Sequence, residues 1–162
     1  MKSSIILGID PGFSVTGYGI LRKEQSMAHL VDYGYLKLPS KYHLSQRIGI
    51  FYTTFKSKIE HFSVSAIALE TPFLGKNTQS FLKLGYLRGI LYLLADQHLL
   101  SLHEFAPRQV KAAVTGYGGA SKEQVASMVL RLFPKLSALG KIEKNDVTDA
   151  LAVCLSGFWL NG

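Results

Sequence analysis

Apolar and polar positions along the chain alternate between two periods. Ser4 to Asp10 is an almost unbroken apolar run that ends in Asp10-Pro11-Gly12, the mark of a buried strand stopping at a turn. Thr16–Leu21 and Ala28–Leu38 are two further strand-like runs. Their short connections predict an antiparallel meander of all three. Ser40 opens a predicted helix, in which Leu44, Ile48, Phe51, Phe55 and Ile59 recur at helical intervals. Val64–Glu70 is again apolar and ends in an acid. Because it is reached through a helical crossover, it is expected to lie parallel to its neighbour in the sheet.

Asn77 caps a predicted helix reaching about Gln97, with Leu84, Leu87, Leu91 and Leu94 on its apolar face. Gly85 and Gly89 stand four apart inside it. Each costs the helix about 1 kcal/mol relative to alanine, so the spacing predicts a close approach there, by the chain's own sheet or by a partner subunit. Leu99–Phe105 reads as a short strand. Ser121-x-x-Gln124 has capping-box spacing and opens a helix carrying Val125, Met128, Val129, Leu132 and Phe133, which Pro134 ends. A last helix is expected from Asn145 or Asp146 to about Trp159. The order β-β-β-α-β-α-β-α-α predicts an α/β fold, with a meander on one side of a mixed sheet and parallel crossovers on the other. No repeat or flexible linker interrupts it, so residues 1–162 are read as a single domain.

The composition adds three constraints. With 48% hydrophobic and 18% charged residues the chain is of ordinary globular type. The lone cysteine, Cys154, stands in Ala-Val-Cys-Leu and reads as a small core residue of a protein from a reducing compartment. Asp10 cuts the first apolar run too early for a signal peptide, and no run has membrane-spanning length, so a cytoplasmic protein with no membrane partner is expected. The net charge of +7 and a pI near 9.5 favour a polyanionic partner.

Against that basic background, four acids sit in apolar surroundings. Asp10 ends a strand of Ile and Leu, and Glu70 ends Ala-Ile-Ala-Leu. Asp146 and Asp149, three apart at the start of the last helix, share one face. Single readings exist for three of them. Asp10 equally fits the first place of an Asp-Pro-Gly turn, and Asp146 and Asp149 equally fit favourable charges at a helix N-terminus. Together, like charges so close would raise one another's pKa unless divalent cations neutralised them. Oxygen-only ligands suit Mg²⁺ or Mn²⁺ rather than zinc. Four carboxylates suit a two-metal phosphodiester site, with ions roughly 3.5–4 Å apart.

The motifs carry a resemblance. Leu7-Gly8-Ile9-Asp10-Pro11-Gly12-Phe13-Ser14-Val15-Thr16-Gly17-Tyr18-Gly19 resembles the opening of the RuvC family of bacterial Holliday-junction resolvases, although Phe13 stands where a small or polar residue is more usual. Ala68-Leu69-Glu70 with Phe73 and Lys76-Asn77, Leu82-Lys83-Leu84-Gly85 with Arg88-Gly89, Pro107-Arg108-Gln109-Val110-Lys111, and Asp146-x-x-Asp149-Ala150-Leu151-Ala152 resemble the later family blocks, in order and across nearly the whole chain.

The resemblance implies a ribonuclease-H-like fold with a five-stranded mixed sheet flanked by helices, its first and fourth strands adjacent. It implies a homodimer and a magnesium-dependent endodeoxyribonuclease that nicks four-way DNA junctions symmetrically in recombination and repair of DNA damage, leaving 5′-phosphate and 3′-hydroxyl ends. It maps the catalytic and metal-binding acids to Asp10, Glu70, Asp146 and Asp149, with two Mg²⁺ per site and Mn²⁺ as a substitute.

The matching blocks also supply candidate DNA contacts: Lys76, Lys83, Arg88, Arg108, Lys111 and Lys122, with Lys111 and Lys122 at positions the family uses near the scissile strand. For any single lysine a solvated surface role is the commoner outcome. Phe73, in a loop with Pro72 and Gly75, is expected to stack on a base at the junction centre, against the ordinary alternative of folding onto the core. Partnership with a branch-migration helicase complex follows from the resemblance alone. Two rival readings remain: a non-catalytic module that binds structured nucleic acid, and a small ATPase of the actin or sugar-kinase type. The ATPase reading rests on Asp10-x-Gly12 with Gly17 and lacks a second lobe to enclose nucleotide.

Overall fold

The computed structural model describes residues 4–72 and 75–160, and Ile142 by its backbone alone. Three strands open the chain: β1 (Ser4–Asp10), β2 (Val15–Glu24) and β3 (Met27–Lys37). Helix α1 (Leu44–Phe62) crosses to β4 (Ala66–Glu70), and α2 (Thr78–Gln97) crosses to β5 (Ser101–Phe105). Helices α3 (Pro107–Thr115) and α4 (Lys122–Leu132), a 3-10 turn at Pro134–Ala138 and α5 (Lys141–Leu160) complete it. The sheet order is β3-β2-β1-β4-β5, with β1–β2 and β2–β3 antiparallel and β1–β4 and β4–β5 parallel. The expected meander, the parallel crossovers and the neighbouring first and fourth strands are all present.

Strand alternation decides which residues face which layer. Leu7, Ile9, Ile20, Ile67 and Leu69 turn to one face, where Phe51, Phe55 and Ile59 of α1 and Leu87, Leu91 and Leu94 of α2 cover them. Ile6, Leu21, Ala66 and Ala68 turn to the other, against Leu151, Cys154, Leu155 and Phe158 of α5, with α3 and α4 outside. Asp10 has the parity of Ile6, and Glu70 that of Ala66 and Ala68. Both acids therefore belong to the α5 face. Helix α5 lies unusually close to the central strands because glycine lines its track. A Cβ on Gly8 would strike Cys154 and the main chain of Ala150, and one on Gly17 would strike the main chain of Asp146.

Four expectations are corrected, and one open alternative, at Gly85 and Gly89, is closed. Helix α3 was absent from the predicted order; Pro107 supplies its first position and Gln109 Oε1 accepts the Ala106 N–H at 2.8 Å. Helix α1 starts at Leu44, not near Ser40, with Gln46 Oε1 accepting the His43 N–H at 3.0 Å. Helix α5 starts at Lys141, so Asp146 and Asp149 lie one to two turns inside it and helix-terminus electrostatics do not account for them. Leu132 is exposed at the end of α4, while Val125, Val129 and Phe133 are buried as expected. Gly85 and Gly89 are exposed with nothing within 4 Å of an added Cβ, which excludes packing against the chain's own sheet. Cys154 is fully buried, as expected of a core residue.

Candidate active site

Asp10 and Glu70 reach the same end of the sheet because β1 and β4 run parallel and side by side, with Ile9 paired to Leu69. The turn after Asp10 is held by Thr16, fully buried, whose Oγ1 donates to the Gly12 carbonyl at 2.9 Å and accepts its N–H at 3.1 Å. Across this end runs α5. Asp10 pairs with Gly17 on β2, and the close passage of α5 over Gly17 brings the turn that starts at Asp146 beside Asp10.

Asp10, Glu70 and Asp149 line one cavity of about 420 Å³, together with Lys111 from α3 and Lys122 from α4; Pro107, Val110, Val125, Ala152 and Val153 form its apolar wall. Lys122 Nζ stands 2.7 Å from Asp149 Oδ2. Asp146 is not among the cavity's lining residues, but its charge acts on Asp10.

Burial pushes the Asp10 carboxyl up to about 7, and the charges of Asp149, Glu70 and Asp146 add to it while Lys122 opposes. Glu70 is raised by burial and by Asp149, with Lys111 and Lys122 opposing. Asp149 is raised by burial against the pull of Lys122, and Asp146 by burial and by Asp149. The Lys122 ammonium is held above its ordinary range, chiefly by its hydrogen bond to Asp149. Four acids that disfavour one another's ionised forms make a site that gains from a cation.

Among the described residues, no three Asp, Glu, His or Cys side chains are gathered tightly enough to grip a metal ion, and Lys122 takes Asp149 instead. The donor set nevertheless fits a hard divalent cation, since it is all carboxylate oxygen and the carboxyls of Asp10, Glu70 and Asp146 are each raised by the charge of Asp149 as well as by burial.

The other candidate contacts divide. Lys76, Lys83 and Arg108 are exposed, Lys83 with its Nζ 5.9 Å from the Phe13 ring. Arg88 is corrected. It is 8% exposed, donates Nη1 to the Glu70 carbonyl at 2.8 Å and pairs through Nη2 with Glu104, so its guanidinium is not presented to phosphate. Phe73 lies outside the described residues. Sequence reasoning missed Glu104, whose one signal is an acid near the end of a short strand, and Arg47, whose guanidinium lies 4.1 Å over the Phe13 ring and donates to the Phe13 carbonyl.

The sheet order, the helical layers and two acids at adjacent central strand ends define a ribonuclease-H-like protein. Residues 6–157 match the model of the crossover junction endodeoxyribonuclease RuvC family, and the chain belongs to that family. The crossover junction endodeoxyribonuclease RuvC of Pelodictyon phaeoclathratiforme is 45% identical over 152 residues, 93% of this chain and 78% of that protein. That of Dictyoglomus thermophilum is 36% identical, covering 94% of both chains. Among solved structures, T. thermophilus RuvC in complex with a Holliday junction substrate superposes with a TM-score of 0.86 at 26% identity, over 98% of this chain and 94% of that one. The yeast mitochondrial Holliday junction resolvase shares the fold at a TM-score of 0.71 and 15% identity, over 96% of this chain and 78% of that one.

Proposed function

We propose that this protein is a structure-selective endonuclease that resolves four-way DNA junctions by paired nicks, with Asp10, Glu70, Asp146 and Asp149 holding two Mg²⁺ ions, or Mn²⁺ in their place. The observation that carries the reading is the meeting of Asp10, Glu70 and Asp149 with Lys111 and Lys122 in one cavity at the sheet's end. An acidic cavity on a chain of net charge +7 suits phosphate once cations are bound and repels it otherwise. This argues for catalysis over passive binding.

The residues divide the work. Bound cations would activate water and stabilise the leaving 3′ oxygen, giving 5′-phosphate and 3′-hydroxyl ends. Asp10 and Glu70, on rigid strand ends, fix one side of the site, and Asp146 and Asp149, on α5, fix the other. Lys111 and Lys122 neutralise the phosphate that enters, and Lys122 holds Asp149 meanwhile. Lys76, Lys83 and Arg108 are exposed to track the flanking backbone, and Phe73 stacks at the junction centre. A second copy packs on α2, where Gly85 and Gly89 are exposed among Leu82, Tyr86 and Leu93, presenting two sites to opposite strands.

The test is cleavage of a synthetic four-way junction beside linear duplex of the same sequence, in Mg²⁺ and in EDTA. Mg²⁺-dependent symmetric nicks in the junction alone are expected. Tight junction binding without cutting in either Mg²⁺ or Mn²⁺ would leave a binding module.

A further inference from the structure

The strand ends that carry Asp10 and Glu70 are not equally supported. Asp10 is paired to Gly17 on β2, and its turn is tied twice by Thr16. Pairing of β4 with β1 stops one residue short of Glu70, at Leu69, so Glu70 is paired only on its β5 side, to Phe105. The next residue is still held there, with the Thr71 N–H donating to the Phe105 carbonyl at 2.8 Å. The Glu70 carbonyl is taken instead by a side chain, Arg88 Nη1, at 2.8 Å. Arg88 belongs to the buried side of α2, and its other terminal nitrogen pairs with Glu104 near the end of β5.

A buried guanidinium is a costly way to fill space. Unpaired it would be strongly destabilising, and a matched apolar pair would serve packing as well or better. Its planar fork can hold two acceptors at a fixed angle, which neither lysine nor an apolar side chain can do. Here the two acceptors are the main chain of a catalytic candidate and a brace on the neighbouring strand. We propose that Arg88, braced by Glu104, is a positioning residue that fixes the Glu70 main chain and thereby aims the Glu70 carboxylate into the cavity. The proposal rests on the reading of Glu70 as a catalytic acid.

The experiment compares wild type with the double variant Arg88→Leu/Glu104→Leu, which removes both charges together and spares the fold an orphaned ion. Melting temperature and junction affinity in EDTA are expected to stay at wild-type values. The cleavage rate at saturating junction and Mg²⁺ falls about tenfold, the equivalent of one lost hydrogen bond, and half-maximal cleavage needs more Mg²⁺. A cleavage rate within about twofold of wild type would make the pair a packing device and overturn the proposal. Weakened junction binding in EDTA would also overturn it, by making Arg88 a DNA contact. Should the double variant not fold, Arg88→Lys keeps the charge on Glu104 and lacks the fork. A partial loss of rate at unchanged junction affinity then supports the proposal, and a wild-type rate overturns it. Glu70→Gln is the control. If it still cleaves, the catalytic reading of Glu70 falls. If it is dead while the double variant is fully active, only the positioning role falls.

Discussion

Lys122 Nζ lies 2.7 Å from Asp149 Oδ2, a direct ion pair inside the acidic cavity. The lysine comes from the first turn of α4 and the acid from α5, so the ion pair ties the two helices across the mouth of the site. The same ammonium lowers the pKa of Asp10 and of Glu70. Replacing it removes the partner of Asp149 and, on the proposed function, a cation that meets the incoming phosphate. Lys122→Gln is expected to lower junction cleavage about a hundredfold at saturating Mg²⁺, the scale of a lost charge-stabilising donor. Junction affinity should fall far less, because many other cations contribute to it. Single-turnover cleavage and binding measured on one preparation check this, and a rate close to wild type would relegate Lys122 to structure.

Asp10 gives a pH prediction whose sign follows from its raised pKa. Its carboxyl moves from 3.8 to about 7 on folding, so the folded chain holds a proton that the unfolded chain has released. The contribution is fully present below 3.8 and lost as pH rises to about 7, leaving the metal-free fold strained by an ionised, crowded acid above that. Asp10→Asn should therefore stabilise the protein in EDTA at pH 8 by roughly 2–4 kcal/mol. The gain should shrink toward pH 5. Cleavage should vanish while junction binding survives. Urea titrations in EDTA at the two pH values test the first part, and a variant less stable than wild type at pH 8 would contradict it.

The acids were legible because each breaks a local pattern. Asp10 and Glu70 end apolar strands, and strand parity then leaves no choice about the face they occupy. Less legible were features whose cause is not local. Helix α3 buries only Val110 and Val114 over its nine residues, too few for a period to emerge. The first turn of α5 is largely polar, Lys141, Glu143 and Lys144, so the apolar pattern begins later than the helix does. That displacement made Asp146 and Asp149 look like helix-end charges when they stand, half-buried, on the part of α5 that faces the site, one to two turns inside the helix. Arg88 looked like one more basic residue in a DNA-binding protein, because it lies on α2 while its partner Glu104 lies on β5, and nothing in the spacing announces the pair.

Lys111 separates electrostatics from chemistry. It lines the cavity beside Glu70 and lowers that acid's pKa, yet it makes no ion pair with an acid among the described residues. Its charge is thus available to phosphate. Lys111→Ala should reduce cleavage about tenfold or more and make junction binding less salt-dependent, by close to one unit of slope. Binding isotherms across a salt series measure this directly. An unchanged slope with a lowered rate would mean that Lys111 acts on Glu70 rather than on DNA.

Gly17 tests whether the approach of α5 to the sheet is what assembles the site. It sits opposite Asp10 on β2, and a Cβ there would meet the main chain of Asp146, an atom set that cannot swing aside as a side-chain tip could. Gly17→Ala must therefore lift this turn of α5 away from β1. The overpacking is expected to cost about 1–3 kcal/mol, well within what a stable domain survives. Cleavage should suffer more than stability, since displacing Asp146 and Asp149 from Asp10 and Glu70 spoils ligand geometry even where the core recovers. The appropriate comparison is Gly19→Ala, whose Cβ meets chiefly the side chain of Leu151 on the same helix rather than the main chain at an acid. It should cost comparable stability and less activity. Chemical denaturation and junction cleavage of the two variants side by side decide the matter: equal activity loss at equal destabilisation would mean that the glycines serve only the fold.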